Sequence, residues 1–133
     1  MLRDIDFKKV CDVAIVIAPI IDEGEEVWKA FVVNLKADPI ESVMISSEGY
    51  GKIDDKPVKT STLRHFYEQI DGQAYQLIEI VPEQLTSLNN QFWLSFWRKG
   101  KLYDKKYVFV TESLVRDNLT LVPVLEKKGV MIM

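Results

Sequence analysis

The chain has a single cysteine, Cys11, and a single histidine, His65, and those two scarcities remove most metal and thiol chemistry at once. A structural zinc site draws its four ligands chiefly from these residue types, so no metal centre is expected. One cysteine cannot close an intramolecular disulfide, which points to a reducing, cytoplasmic setting. Long hydrophobic runs are missing as well. The apolar stretch 10–21 is interrupted by Asp12 and Pro19 and preceded by Asp4 and Asp6, so it reads as a buried strand rather than a secretory leader. Nothing approaches the roughly 20 apolar residues that span a bilayer, so no membrane segment is expected. Positive charge is in deficit too. A net charge of −3 and a pI near 5.2 offer no general attraction to phosphate backbones or anionic lipid, so nucleic acid is not the expected partner.

What remains is an ordinary globular composition. With 133 residues, 47% hydrophobic and 28% charged, the chain suffices for one domain, residues 1–133, with its own core. Residues 13–17, β-branched or small and bounded by Asp12 and Pro19, suit a short strand. An acidic turn follows at 22–26. Residues 27–35 place Phe31, Val33 and Leu35 on one face and Trp28, Ala30 and Val32 on the other, the double apolar pattern of a central strand. After Asp38-Pro39, residues 40–46 alternate as a half-exposed strand, expected to pair with the preceding one. Residues 48–57 read as a polar, glycine-bearing excursion, and 58–70 as a less regular strand. Asp71-Gly72 signals a turn, 74–81 a further strand ended by Pro82, and 83–88 a short helical turn.

The clearest local pattern is a hairpin over residues 92–110, with runs on either side of Arg98-Lys99-Gly100-Lys101. Gly100 suits the left-handed position of a three-residue loop with a bulge, and that register places Trp93, Trp97, Tyr103 and Tyr107 on one side. A one-residue slip would pair them differently. A helical or turn segment at 113–118 and terminal strands at 119–125 and 130–133 complete the chain. Seven or eight short strands without long amphipathic helices predict an all-β, two-sheet antiparallel sandwich, immunoglobulin-like, with one or two short helical turns.

Catalytic constellations are thin. Ser46 and Ser47 beside His65 are the best nucleophile candidates, but no local carboxylate completes a triad, and an ordinary strand histidine is favoured. Cys11, near Lys8 and Lys9, reads as an inert strand thiol. The acidic groups at 22–26 and 54–55 do not match the spacing of a calcium loop, and Gly49-Tyr50-Gly51-Lys52 is a turn rather than a phosphate cradle, because no helix follows it. The basic residues Arg98, Lys99, Lys101, Lys105 and Lys106 suit a solvated hairpin tip. The aromatic set is larger than one sheet face requires. Most of it belongs to the core, and the remainder, centred on Trp93, Trp97, Tyr103 and Tyr107, is the candidate contact patch.

The stretch Asn34-Leu35-Lys36-Ala37-Asp38-Pro39-Ile40-Glu41-Ser42-Val43-Met44-Ile45-Ser46-Ser47-Glu48-Gly49-Tyr50-Gly51, the hairpin, and the closing Lys127-Lys128-Gly129-Val130-Met131-Ile132 together resemble a family of short uncharacterised bacterial proteins. Some members carry a label borrowed from a phenylalanyl-tRNA synthetase subunit, which would imply ATP, phenylalanine and tRNA binding. The chain has neither the length nor the motif arginines of such a core, so the resemblance implies bacterial origin and no transferable activity. The expected function is a non-enzymatic binding or assembly module without a cofactor, self-associating through an edge strand or the aromatic hairpin face. Its rivals are a small hydrolase using His65 with Glu68 or Asp71, and an RNA-binding module using the basic tip.

Overall fold

The computed structural model describes residues 9–133, in which ten strands form two antiparallel sheets. The first sheet has the order β6 (Ala74–Val81), β2 (Glu25–Asn34), β1 (Val13–Asp22), β10 (Lys127–Ile132), β9 (Thr120–Val122). In the second, the long β3 (Ile40–Ile53) pairs on one edge with β7 (Asn89–Arg98), which pairs with β8 (Lys101–Phe109). The other edge of β3 is shared by β5 (Leu63–Ile70) along its first half and β4 (Lys56–Lys59) along its second. Two one-turn 3-10 helices, Glu83–Leu85 and Arg116–Asn118, are the only helical elements among the described residues. The all-β, two-sheet sandwich expected from the sequence is therefore the fold. Asp4 and Asp6, used in reading the first apolar stretch, and Lys8, named beside Cys11, lie outside the described residues.

The core forms where the sheets' inner faces meet, and both contribute to it. Ile15, Ile17, Ala30 and Val32 come from the first sheet, and Ile45, Phe92, Leu94 and Phe96 from the second. The doubly apolar β2 is central, as its pattern predicts. Ala30 and Val32 face the second sheet, while Phe31 and Val33 join a separate cluster on the outer side. Polar ties also cross between the sheets. The Tyr107 hydroxyl donates to the Val13 carbonyl at 2.7 Å, and the Tyr67 hydroxyl to the Leu77 carbonyl at 2.8 Å. Burial holds the Tyr107 phenol well above its ordinary range; Tyr67 is raised too, by burial first and then by the charge of Glu79.

Fully buried Asn34 clamps the chain where it passes from one sheet to the other. Its side-chain amide donates to the carbonyls of Asp38 and Asp71 at 2.9 and 3.1 Å, and its oxygen accepts from the Lys36 amide at 3.0 Å. The loops it joins approach closely: a Cβ at Gly72 would sit 2.1 Å from the Ala37 carbonyl oxygen.

Several expectations need correction. β2 and β3 do not pair, because the chain changes sheets at 35–39. β1 continues through Pro19 to Asp22, since β10 pairs with it only at Ile15, Val16 and Ile17, and an edge tolerates proline. The supposed excursion at 48–57 is the far end of a hairpin, with Gly49 and Gly51 inside β3. Its turn, Asp54-Asp55, takes positive φ at both residues (51° and 63°), the tight-hairpin geometry. The last strands meet at a turn around Pro123 and Val124 rather than at Glu126-Gly129. Cys11 precedes β1 and is exposed, with the Lys36 ammonium 3.8 Å from its sulfur, so it is not a strand thiol.

Candidate functional site

The hairpin expected at 92–110 is present as β7–β8, but its turn has two residues. Lys99 and Gly100 both take positive φ, 50° and 74°, and Arg98 pairs directly with Lys101. The expected three-residue bulged loop is thus shorter by one, and every partner on β8 shifts with it. Tyr103 pairs with Phe96 and Tyr107 with Phe92, so both tyrosines belong to the inner face. Tyr107 is 1% exposed, and Tyr103 stacks on Phe96 at 5.1 Å between ring centres. Trp93 and Trp97 pair with Lys106 and Leu102 and point the other way. The structure separates the four predicted site residues into two core tyrosines and two exposed tryptophans.

The tryptophans have company that the hairpin alone could not reveal. Register across β5, β3 and β7 aligns Phe66 with Met44 and Met44 with Ser95, so Phe66 and Met44 share the outer face with Trp93 and Trp97. All four are large and apolar, between 43% and 58% exposed. A shallow groove of about 170 Å³ runs beside Trp93, lined by Met44, Ser46, Arg64, His65 and Ser95. The indole N–H of Trp93 donates to Asp104 at 3.1 Å, which fixes the ring's orientation. Arg64 and Lys106 supply positive charge around the face, and Glu41 and Asp104 negative. Met44 and Phe66 were missed in the sequence because their place beside the tryptophans is set by pairing between strands far apart in the chain. Two residues of β3, Ser42 at φ 48° and Val43, occupy the space opposite one residue of β7.

The second group of interest lies between the sheets. His65 Nε2 is 2.7 Å from Glu79 Oε1, and the Ser47 hydroxyl donates to the same oxygen at 2.7 Å. Ser47 and His65 belong to the second sheet and Glu79 to the first. The structure therefore brings Ser47 and His65 to one carboxylate but does not arrange a triad, since the serine bonds to Glu79 rather than to the imidazole. The expected partners of His65 are elsewhere: Glu68 is exposed, and Asp71 accepts from Gln69 at 2.8 Å. Ser46 lies on the outer face by strand parity.

The basic tip is partly neutralised. Arg98 is bonded to Asp38 and Lys99 lies 3.5 Å from it, and the Arg98 hydrogen bond, followed by the Lys99 charge, holds the Asp38 carboxyl below its usual range. In the acidic turn, Asp22 pairs with Lys29 at 3.0 Å and Glu26 with Arg116. Among the described residues no cluster of three or more potential metal ligands occurs, and no helix is long and apolar enough to cross a membrane. Comparison of the chain with protein-family models and with curated proteins finds no match to either.

Proposed function

We propose that the protein is a non-enzymatic assembly module whose partner is a second copy of itself, docked through the outer face of the second sheet. The observation that carries this reading is the cluster of Met44, Phe66, Trp93 and Trp97 on one sheet surface, each roughly half exposed. Large side chains present about 150–250 Å² each, so four at this exposure offer on the order of 400 Å² of contiguous apolar surface. A monomer's largest patch is typically ~300–600 Å² and often functional.

Two features favour a second copy over other occupants. The rim carries both signs of charge, Arg64 and Lys106 with Glu41 and Asp104, which suits a self-complementary contact and disfavours polyanions. Two of the alternative edge-strand routes are guarded. β8 carries Lys101, Lys105 and Lys106, and on β6 the Leu77 carbonyl is already taken by Tyr67. A standard interface needs about 800 Å² per partner, so the polar rim must contribute as much as the apolar centre, and the dimer is of modest affinity. In this reading the chain belongs with the short bacterial proteins it resembles and works in a reducing compartment that leaves Cys11 unpaired.

Dilution monitored by tryptophan fluorescence tests the proposal. Dissociation exposes Trp93 and Trp97 while partly buried Trp28 stays constant, so emission shifts to the red as concentration falls. An emission maximum independent of concentration from high to low micromolar contradicts it.

A further inference from the structure

The strand β6 breaks its own alternation, and the break turns a carboxylate inward. In the run Leu77-Ile78-Glu79-Ile80-Val81, regular parity would bury Ile78 and Ile80 together and leave Glu79 in solvent. The pairing with β2 instead shifts register: Ala30 opposes Glu79 and Phe31 opposes Leu77, which leaves Ile78 as an extra residue. Ile78 is in the core, Glu79 reaches across to Ser47 and His65, Ile80 is 55% exposed and Val81 is buried again. An acid has been brought inside while an isoleucine of the same strand is left in water. Both changes oppose stability, and bulges that re-aim a side chain at such expense cluster at binding sites.

Glu79 faces a cavity. About 220 Å³ opens between the sheets beside it, with Ser47 and Asn90, both more than nine-tenths buried, among its lining. Apolar walls come from Leu85, Phe92 and Val81, and Leu63 and Ile80, both about half exposed, also contribute. Among the described residues, glutamates are the only charged residues that line it, and no lysine or arginine does.

We propose that this cavity binds a small organic cation, a primary amine with a short apolar arm, whose ammonium pairs with Glu79 and whose arm lies against Leu85 and Phe92. Size narrows the class. An engineered apolar cavity of ~150 Å³ holds benzene, so this one admits a ligand of roughly ten heavy atoms or fewer, below the ~300 Å³ at which drug-sized pockets begin. The second carboxylate oxygen is left for the ligand, because His65 and Ser47 both engage Oε1. A cation adds a charge-assisted bond at that free oxygen, and a neutral isostere does not.

Titration of the full chain with phenethylamine, followed by amide NMR shifts at Gly49 and Thr60, tests the site, with 2-phenylethanol and 3-phenylpropionate as neutral and anionic controls. The amine is expected to bind at least about tenfold more tightly than the alcohol, and the acid not at all. Glu79→Gln should remove about tenfold or more of the amine's affinity and abolish its advantage over the alcohol. Leu85→Trp, which fills the cavity without touching the carboxylate, should block both ligands. Equal binding of amine and alcohol, unchanged affinity in Glu79→Gln, or no shifts with millimolar amine would each overturn the proposal. The sedimentation behaviour of the protein does not bear on it, so failure here and failure of the assembly reading are distinguishable.

Discussion

The outer faces of the two sheets are both apolar, and they are built from different residues. On the first sheet the outer cluster uses Ala14, Val16, Ala18, Phe31 and Val33, and the chain covers this centre with Val122 and Leu125 around the β9–β10 turn, while Tyr75, Leu77 and Ile80 on the β6 edge stay about half exposed. Closeness there depends on small side chains: a Cβ at Gly129 would lie 2.7 Å from the Val16 methyl and 3.0 Å from the Ala18 Cβ. On the second sheet the outer face uses Trp93, Trp97, Phe66 and Met44, large side chains that stand clear of the pleat. Small residues let the chain's own backbone settle on a sheet; large rigid ones hold surface ready for a separate body. Composition of the outer face thus tells the part of a sheet that the chain closes over from the part that it leaves open.

The largest effect should come from uncovering the closed face. Leu125→Ala, at a side chain 3% exposed, is expected to cost about 2–5 kcal/mol in chemical denaturation. Trp97→Ala on the open face, 45% exposed, should cost the monomer less than about 1 kcal/mol. Equal costs at the two sites would break the distinction. Next comes overpacking: Gly129→Leu, which inserts a side chain between β10 and the cluster, should destabilise by about 1–3 kcal/mol, whereas Ser95→Leu between the tryptophans should leave monomer stability within about 0.5 kcal/mol.

Alkaline pH is a smaller test, indifferent to either outer face. The buried Tyr107 phenol has a folded pKa raised above its ordinary value of 10.0, so its contribution is present below about pH 10 and is lost as pH rises above it. Tyr67 acts in the same direction. Tyr107→Phe should lower stability by about 1 kcal/mol at neutral pH, through the lost bond to Val13, and should flatten the alkaline decline. A decline equally steep in the variant would place its cause elsewhere.

Much of the fold could be read from residues whose neighbours are local. The two apolar faces of β2 announced a central strand, Pro82 ended β6, and the turn signals separated the strands. Registers set by distant partners could not be read. Gly100 is compatible with a two- or a three-residue turn, and the choice depends on whether Tyr103 and Tyr107 find Phe96, Phe92 and the Val13 carbonyl inside the sandwich. The same holds for the strand pairings that set Met44 and Phe66 beside Trp93, and for the bulge at Ile78, which turns Glu79 inward. Glu79 did leave one trace in the sequence: it is the only charge within the apolar run 77–81. Of the four residues anticipated for the contact patch, Trp93 and Trp97 are exposed and Tyr103 and Tyr107 face inward. The side chains exposed beside the tryptophans, Met44 and Phe66, come from strands that lie far from the hairpin in sequence.

The most direct measurement is sedimentation velocity of the chain and of a Trp93→Ala/Trp97→Ala variant across the micromolar range, with thermal unfolding of both as a control for folding. The wild type should move from monomer to dimer with rising concentration, while the variant remains monomeric and unfolds at nearly the same temperature. A wild type that stays monomeric throughout, or a variant that dimerises as well, would contradict assembly through this face.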